Sequence, residues 1–292
     1  MTKSNSLSQL AFQNFKKNKI GFVSLLYIIL CGLIALFCYA IAPDNSNSAN
    51  QMHLEIHSKK PGFSVEMFTI PSKEKKQQSW LNVLIDGRQN NQTEIPIKSY
   101  LVEGNNLKIV QYSDGLTKEY PLSIINNQPK KYIKKKTFYF GTDKYGRDLL
   151  SRLLIGTRIS FSIGFIAVLI SLLIGIPIGA IAGYFGGKID TFIMWIINIT
   201  WSIPTLLLVI AITLALGKGF WQVFIAVGLT MWVEVARIVR GQVITTKQQQ
   251  YVEAAKALGF SDFRIIFKHI LPNIIAPIIV ISAANFAGAI LI

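Results

Sequence analysis

The residues whose types and spacing invite chemistry gather late in the chain. Residues 251–272 read YVEAAKALGFSDFRIIFKHILP. Tyr251, Ala254, Ala255 and Leu258 stand at i, i+3, i+4 and i+7, which predicts a short amphipathic helix carrying Glu253. Phe263, Ile266, Phe267 and Ile270 repeat that spacing in a second helix, which also carries His269. Gly259 suits the left-handed turn that ends a helix, and Ser261 can cap the next one. The chemistry expected of such a hairpin is recognition of a partner surface. Bond-making chemistry has no comparable signal. The chain has no Gly-x-x-x-x-Gly-Lys-Ser/Thr phosphate loop, so ATP is not expected to bind by that motif. No Ser/His/Asp or Cys/His constellation has plausible spacing, and the chain reads as a non-enzyme. His53 and His57 stand at i, i+4 around Glu55, but no helix is indicated there and no metal site is read.

The elements that must position this hairpin are long apolar segments. Of 292 residues, 51% are hydrophobic, which is too apolar for a soluble domain. Five apolar runs are long enough to cross a bilayer: 21–42, 159–184, 192–216, 220–239 and 274–292. The first reads as a signal anchor rather than a cleaved signal peptide, because its apolar run is longer than a usual signal-peptide core. Cys31 and Cys38 both lie in it, too far apart along one helix to bridge. Lys3, Lys16, Lys17 and Lys19 precede it, and Arg237, Arg240, Lys247, Lys256, Arg264 and Lys268 surround the hairpin. Four spans separate the two basic regions, so they share a side, which the positive-inside rule makes the cytoplasm. Residues 1–20 are then a cytoplasmic amphipathic tail, and Lys218 lies outside. The net charge of +15 does not indicate nucleic-acid binding, because 14 of the 30 basic residues lie in residues 43–140 beside nine acids. Much of the remainder flanks the spans, where anionic lipid favours it.

The hairpin residues resemble the "EAA" loop of the permease subunits of ATP-binding-cassette importers. The ending His269-Ile270-Leu271-Pro272-Asn273 is similar to the oligopeptide/dipeptide branch. Two further stretches carry the resemblance: FGTDKYGRDLLSRLLIGTRISFSIG at 140–164 and AGYFGGKID at 182–190. It implies an all-α polytopic permease of the type I importer fold, in a bacterial inner membrane with its N-terminus cytoplasmic. It implies a homologous second permease, two cytoplasmic ATPase subunits that bind ATP and Mg, and an extracytoplasmic substrate-binding protein; no cofactor is expected in this chain. By the same resemblance Tyr251, Glu253, Ala254, Ala255, Leu258, Gly259, Phe263, Ile266 and His269 form the ATPase-coupling loop, within residues 240–272. Peptides are the expected substrate. Nickel, opine and oligosaccharide importers share the loop, and a membrane scaffold that has lost coupling is an alternative from another class. The family has six spans, so a chain ending at Ile292 inside or after the fifth is expected to be truncated.

Residues 43–140 depart from the family, whose connection here is shorter. Alternating runs at 63–68, 80–85 and 107–110, with the turn signal Asp114-Gly115, predict a small β-rich extracytoplasmic insert ahead of a permease core at 141–292. The run Lys130, Lys131, Lys134, Lys135 and Lys136 reads as a solvated or lipid-headgroup patch. Residues 140–164 predict an amphipathic helix on the outer interface, with Asp143/Arg147 and Asp148/Arg152 as i, i+4 pairs. In the second span Ala167, Ser171, Gly175, Gly179 and Gly183 form a ridge of small residues for close helix packing, within this chain or against the second permease. Pro177 is expected to kink that span. Asn198, Ser202, Pro204 and Asn285 are candidates for the translocation path, with interhelical hydrogen bonding as the bland alternative. Glu234 departs from the uncharged residue the family implies, and is expected near the interface or paired.

Overall fold

The computed structural model describes residues 15–71, 78–89, 92–113, 115–217 and 219–292. Lys3, Asp114, Lys218 and the first 14 residues of the expected tail lie outside the described residues. The chain divides into two compact units, Met1–Ile159 and Ser160–Ile292.

The first unit opens with helix α1 (Lys19–Ile41), an apolar segment of 23 residues. At 1.5 Å per residue it is about 35 Å long, enough to cross a bilayer core. Asn18 caps it, its Oδ1 accepting from Gly21 N at 3.1 Å. Ala42 then turns extended, the conformation that the following Pro43 imposes. Beyond it lies an antiparallel sheet of five strands in the order β4-β3-β2-β1-β5. The strands are β1 (Phe63–Ile70), β2 (Thr93–Glu103), β3 (Asn106–Gln111), β4 (Thr117–Pro121) and β5 (Ile133–Phe138). Both faces are covered. Phe68, Ile97, Leu107 and Ile109 pack with Leu122 and Ile125 in one cluster, while Val65, Met67 and Phe138 pack with Ile56 in another. Neighbours on β1 thus serve opposite clusters, as the two-residue period of a strand requires.

Two insert expectations need correction. Residues 80–85, expected as a strand, lie in helix α2 (Trp80–Asp86). Trp80, Val83 and Leu84 also satisfy the helical period, and so short a run fits both. Gly87, at φ +76°, ends it, with its N donating to Val83 O at 3.0 Å. The lysine run is likewise not one solvated patch, since Lys136 Nζ pairs with Glu94 Oε2 at 2.9 Å. A short helix, α3 (Pro129–Tyr132), precedes β5.

Residues 140–148 form a buckle instead of the start of an amphipathic helix. Gly141 and Gly146, at φ +76° and +72°, break the helical path. Thr142 Oγ1 donates to Ile56 O at 2.5 Å and accepts from Lys59 N at 2.9 Å. Asp143 gathers Tyr145 N at 2.8 Å, Arg147 N at 3.0 Å and the Arg147 side chain at 2.7 Å. Burial disfavours the Asp143 carboxylate, but the backbone N–H groups of Arg147 and Tyr145 and the Arg147 guanidinium outweigh it and hold its pKa below the ordinary value. The expected Asp148/Arg152 pair is absent. Asp148 instead caps helix α4 (Leu149–Phe185), its Oδ2 accepting from Ser151 N at 3.0 Å, and Arg152 turns to Asp143 at 3.2 Å.

Helix α4 runs 37 residues without interruption through Pro177. In the second unit helices α5 (Gly187–Ser202) and α6 (Thr205–Leu216) follow, meeting at 93°. The span expected over 192–216 is a bent pair of helices. Pro204 is the cause: it holds Ile203 extended, at φ −89° and ψ 127°. Helix α7 (Phe220–Lys247), the short helices α8 (Gln250–Ala257) and α9 (Asp262–Ile265), and helix α10 (Ile275–Leu291) complete the unit. Four helical segments among the described residues are long and apolar enough to span a membrane, or five if the bent pair counts as one.

Candidate functional site

The hairpin is built by a sharp turn and held by the helices around it. Gly259 sits at φ +75° between α8 and α9, with nothing within 4 Å of the place a Cβ would take. Its requirement is therefore one of backbone conformation and not of space. Ser261 occupies the position before α9, but its side chain makes no capping bond. A π turn (Ile266–Ile270) and a 3₁₀ turn (Leu271–Ile274) lead into α10.

The hairpin's buried side packs Val252, Ala255, Ile265, Ile266 and Ile270 against Tyr184 of α4 and Val239 and Val243 of α7. Polar contacts add direction to this apolar contact. Tyr184 Oη donates to Asp262 Oδ1 at 2.6 Å, and Lys247 Nζ donates to Tyr184 O. The ammonium groups of Lys247 and Lys256 also lie 5.4 and 5.1 Å from the Tyr184 ring centroid. Arg240 grips Asp190 of α5 through Nε at 2.5 Å and Nη2 at 2.6 Å, a two-pronged contact that fixes α5 to α7.

The other side of the hairpin leaves large apolar groups uncovered. Leu258 is 73% exposed, Phe263 72% and Phe267 57%, and the rings of Phe263 and Phe267 stack. Tyr251, Glu253 and Ala254 are exposed as well. The two faces read from the sequence are thus divided differently: Ala255 and Ile266 turn inward, whereas Tyr251, Ala254, Leu258, Phe263 and Phe267 turn outward. In the second helix Phe263 and Ile266 stand about 60° apart around the axis, so α7 can cover Ile266 and Ile270 while Phe263 and Phe267 stay outside. His269 is half-buried and stacks on Phe260 with centroids 5.8 Å apart. Sequence reasoning missed Tyr184 and Asp262. A tyrosine ending a span and an acid opening a loop helix were the only signals available.

The small-residue ridge of α4 lies against α7 of the same chain. A Cβ on Gly175 would stand 2.7 Å from Trp232 O, and one on Gly183 2.7 Å from Arg240 O. On Gly179 it would overlap Ala236 O and stand 2.9 Å from Val239 Cβ. Ala167 and Ser171 are fully buried along the same helix.

The candidate path residues take different local settings. Asn198 Oδ1 accepts from Arg237 Nη2 at 3.0 Å, and the Arg237 guanidinium lies 3.7 Å from the Trp201 ring centroid. Ser202 Oγ donates to Ile199 O within its own helix at 2.7 Å, and Pro204 makes the bend. Asn285 is buried on α10, and its Nδ2 has no hydrogen-bond partner. Glu234 is exposed on α7 and joins no ion pair among the described residues.

Residues 175–292, which contain most of the ridge and the whole hairpin, match the family described as binding-protein-dependent transport system inner membrane component. Residues 6–61 match the N-terminal TM domain of oligopeptide transport permease C. Among curated relatives, the oligopeptide transport system permease protein OppC of Bacillus subtilis (strain 168) is 44% identical over 155 residues, 53% of this chain and 51% of that protein. The dipeptide transport system permease protein DppC of the same organism is 45% identical over 158 residues, 52% of this chain and 49% of that protein. The chain spans about half the length of these relatives. A solved structure of the MetNI methionine ABC transporter in inward-facing conformations aligns with 47% of this chain and 69% of that one, at TM-score 0.44 and 19% identity, a likeness too slight to build on.

Proposed function

Starting from residues 175–292 as a segment of the binding-protein-dependent inner-membrane permease family, we propose that this chain is a permease subunit of an ATP-driven importer of oligopeptides or dipeptides. Its α-helical unit forms part of the translocation pathway. The hairpin between α7 and α10 is the seat for a cytoplasmic ATPase subunit, which places the N-terminus on the same side and the β lobe outside. A homologous permease, a second ATPase subunit and an external binding protein complete the assembly. ATP and Mg belong to the ATPase subunits, and this chain performs no catalysis.

The observation that carries the reading is the two-sided hairpin. One face is anchored to α4 and α7 through buried Val252, Ile265 and Ile270. The other presents Leu258, Phe263 and Phe267 to a partner. Exposed apolar groups of this size mark interaction surfaces. A motion of the ATPase acting there reaches α4 through the Tyr184–Asp262 hydrogen bond and α7 through the packed valines. The experiment is affinity purification of the full chain from its native membrane, followed by reconstitution into vesicles. ATPase subunits and a second permease should co-purify, and ATP should drive peptide uptake with the binding protein present. Recovery of the chain without any ATPase subunit would favour the scaffold reading instead.

A further inference from the structure

Helix α2 of the lobe keeps an apolar side exposed. Trp80 at its start is 69% exposed, Leu81 50% and Ile85 57%. Leu81 and Ile85 stand one turn apart and so share a side of the helix. Asn82 and Asp86, also one turn apart, are exposed on another side. Val83 and Leu84 are half-buried, and Gly87 just beyond the helix is buried.

The place of α2 in the fold says what covers the apolar side. The helix packs against α1. A Cβ on Gly87 would stand 2.7 Å from Tyr39 Cε1 of α1, and Arg88 N donates to Asn45 O at 2.7 Å. Leu84 O accepts from Arg158 Nη1 of α4 at 2.6 Å, and the Arg158 guanidinium lies 5.4 Å from the Tyr39 ring centroid. Tyr39 and Arg158 each stand at the edge of a span. From Lys19 to Tyr39 is about 30 Å along α1, the thickness of a bilayer's hydrocarbon core. Arg158 directly precedes the apolar run 159–184. Tyrosine and arginine suit that level, because each has an apolar body and a polar end. Helix α2 is therefore pinned at the height where the bilayer surface meets the chain.

We propose that α2 lies in the membrane–water interface on the lobe's side and seats Trp80, Leu81 and Ile85 in the lipid, with Asn82 and Asp86 toward headgroups and water. The partner of this surface is the lipid leaflet itself. So short a helix gains little from lipid alone, but here α1 and α4 fix its height and orientation before any lipid is met. A soluble protein fits the position less well, since it would have to reach apolar groups standing at headgroup depth. The contact gives the β lobe a hold on the membrane beyond its two chain connections. The assignment depends neither on the transport reading nor on which side of the membrane the lobe occupies.

Fluorescence quenching on the full chain in lipid nanodiscs tests it. The two cysteines are removed by Cys31→Ser and Cys38→Ser, and single cysteines from Leu81→Cys, Ile85→Cys and Asn82→Cys carry the polarity-sensitive dye NBD. All three positions are exposed, so the label displaces no packed side chain. With phosphatidylcholine spin-labelled near the headgroup end of its acyl chain, emission at Leu81 and Ile85 should fall to about half or less, because an interfacial helix buries that side at the headgroup–acyl boundary. Quenching at Asn82 should be roughly twofold weaker, because that position lies about 100° around the helix from Leu81. Water-like, unquenched emission at Leu81 and Ile85 would overturn the assignment and leave that side to a soluble protein. Equal quenching at all three positions would overturn it as well, since the helix would then present no one side to lipid.

Discussion

The β lobe and the α8–α9 hairpin both connect spans and both bury apolar side chains, yet they differ in their buried polar groups. Beside its apolar clusters the lobe hides polar groups: Asp44, His53 and Asp148 are all buried and each keeps an atom without a hydrogen-bond partner. None of the buried unpartnered side-chain atoms among the described residues falls in the hairpin. The hairpin hides valine and isoleucine and turns phenylalanine and leucine outward. Exposed apolar side chains suit a protein partner, which can remove them from water. The difference separates a connection that buries polar atoms from one that exposes apolar ones.

The largest way to break the comparison is through the platform under the hairpin. Gly179→Leu would drive a side chain into Ala236 O and Val239, and α7 must move away. The expected cost is roughly 3 kcal/mol or more, because backbone cannot yield as a flexible side chain can. Hydrogen exchange should rise across α7 and the hairpin while the sheet of the lobe keeps its protection. Loss of protection in both regions alike would mean that they do not fold as separate units.

Tyr184→Phe sharpens the hairpin side. It removes the bond to Asp262 and keeps the packing, so the expected loss is about 1 kcal/mol. Exchange should quicken at α9 and less at α8, with membrane level unchanged. Equal exchange in both proteins would show that the bond does not hold the hairpin. Gly259→Ala should cost about 1 kcal/mol, through backbone strain alone, since no atom stands near its Cβ position. The contrast with Gly179→Leu separates a glycine needed for its φ from one needed for its bareness, and equal membrane levels of the two variants would erase the distinction.

These positions show how far the sequence could be read. The turn at Gly259, the sheet and the apolar segments were legible because each rests on local pattern. The side of the hairpin that faces inward was not. Period alone put Phe263 and Ile266 together, and only the packing of α7 separates them. The partner of Asp148 was misassigned for a related reason: an i, i+4 rule presumes a helix, and Gly141 and Gly146 prevent one. Tyr184 and Asp262 meet across 78 residues, a distance no periodicity reports.

The smallest effect belongs to the lobe. Burial lowers the pKa of His53 from 6.5, aided by Lys136 and opposed by Glu94, Glu55 and Asp44. The folded lobe therefore binds this proton less readily than the unfolded chain. Stability should be flat above pH 6.5 and should fall as the pH drops below it. In His53→Gln that decline between pH 6.5 and 5 should flatten when lobe exchange is followed, with the hairpin unaffected. An identical decline in the variant would assign it to another group.

The hairpin's outward face decides whether the account stands. Leu258→Ser combined with Phe263→Ser changes only exposed side chains, and leaves Val252, Ile265 and the Tyr184–Asp262 bond in place. The measurement is recovery of ATPase subunits with the affinity-purified chain, beside the membrane level of the chain itself. The account predicts an unchanged level and ATPase recovery below about a tenth of wild type, a loss of roughly 1.4 kcal/mol or more in association. Full ATPase recovery from that doubly substituted chain, with coupled uptake intact, would contradict it.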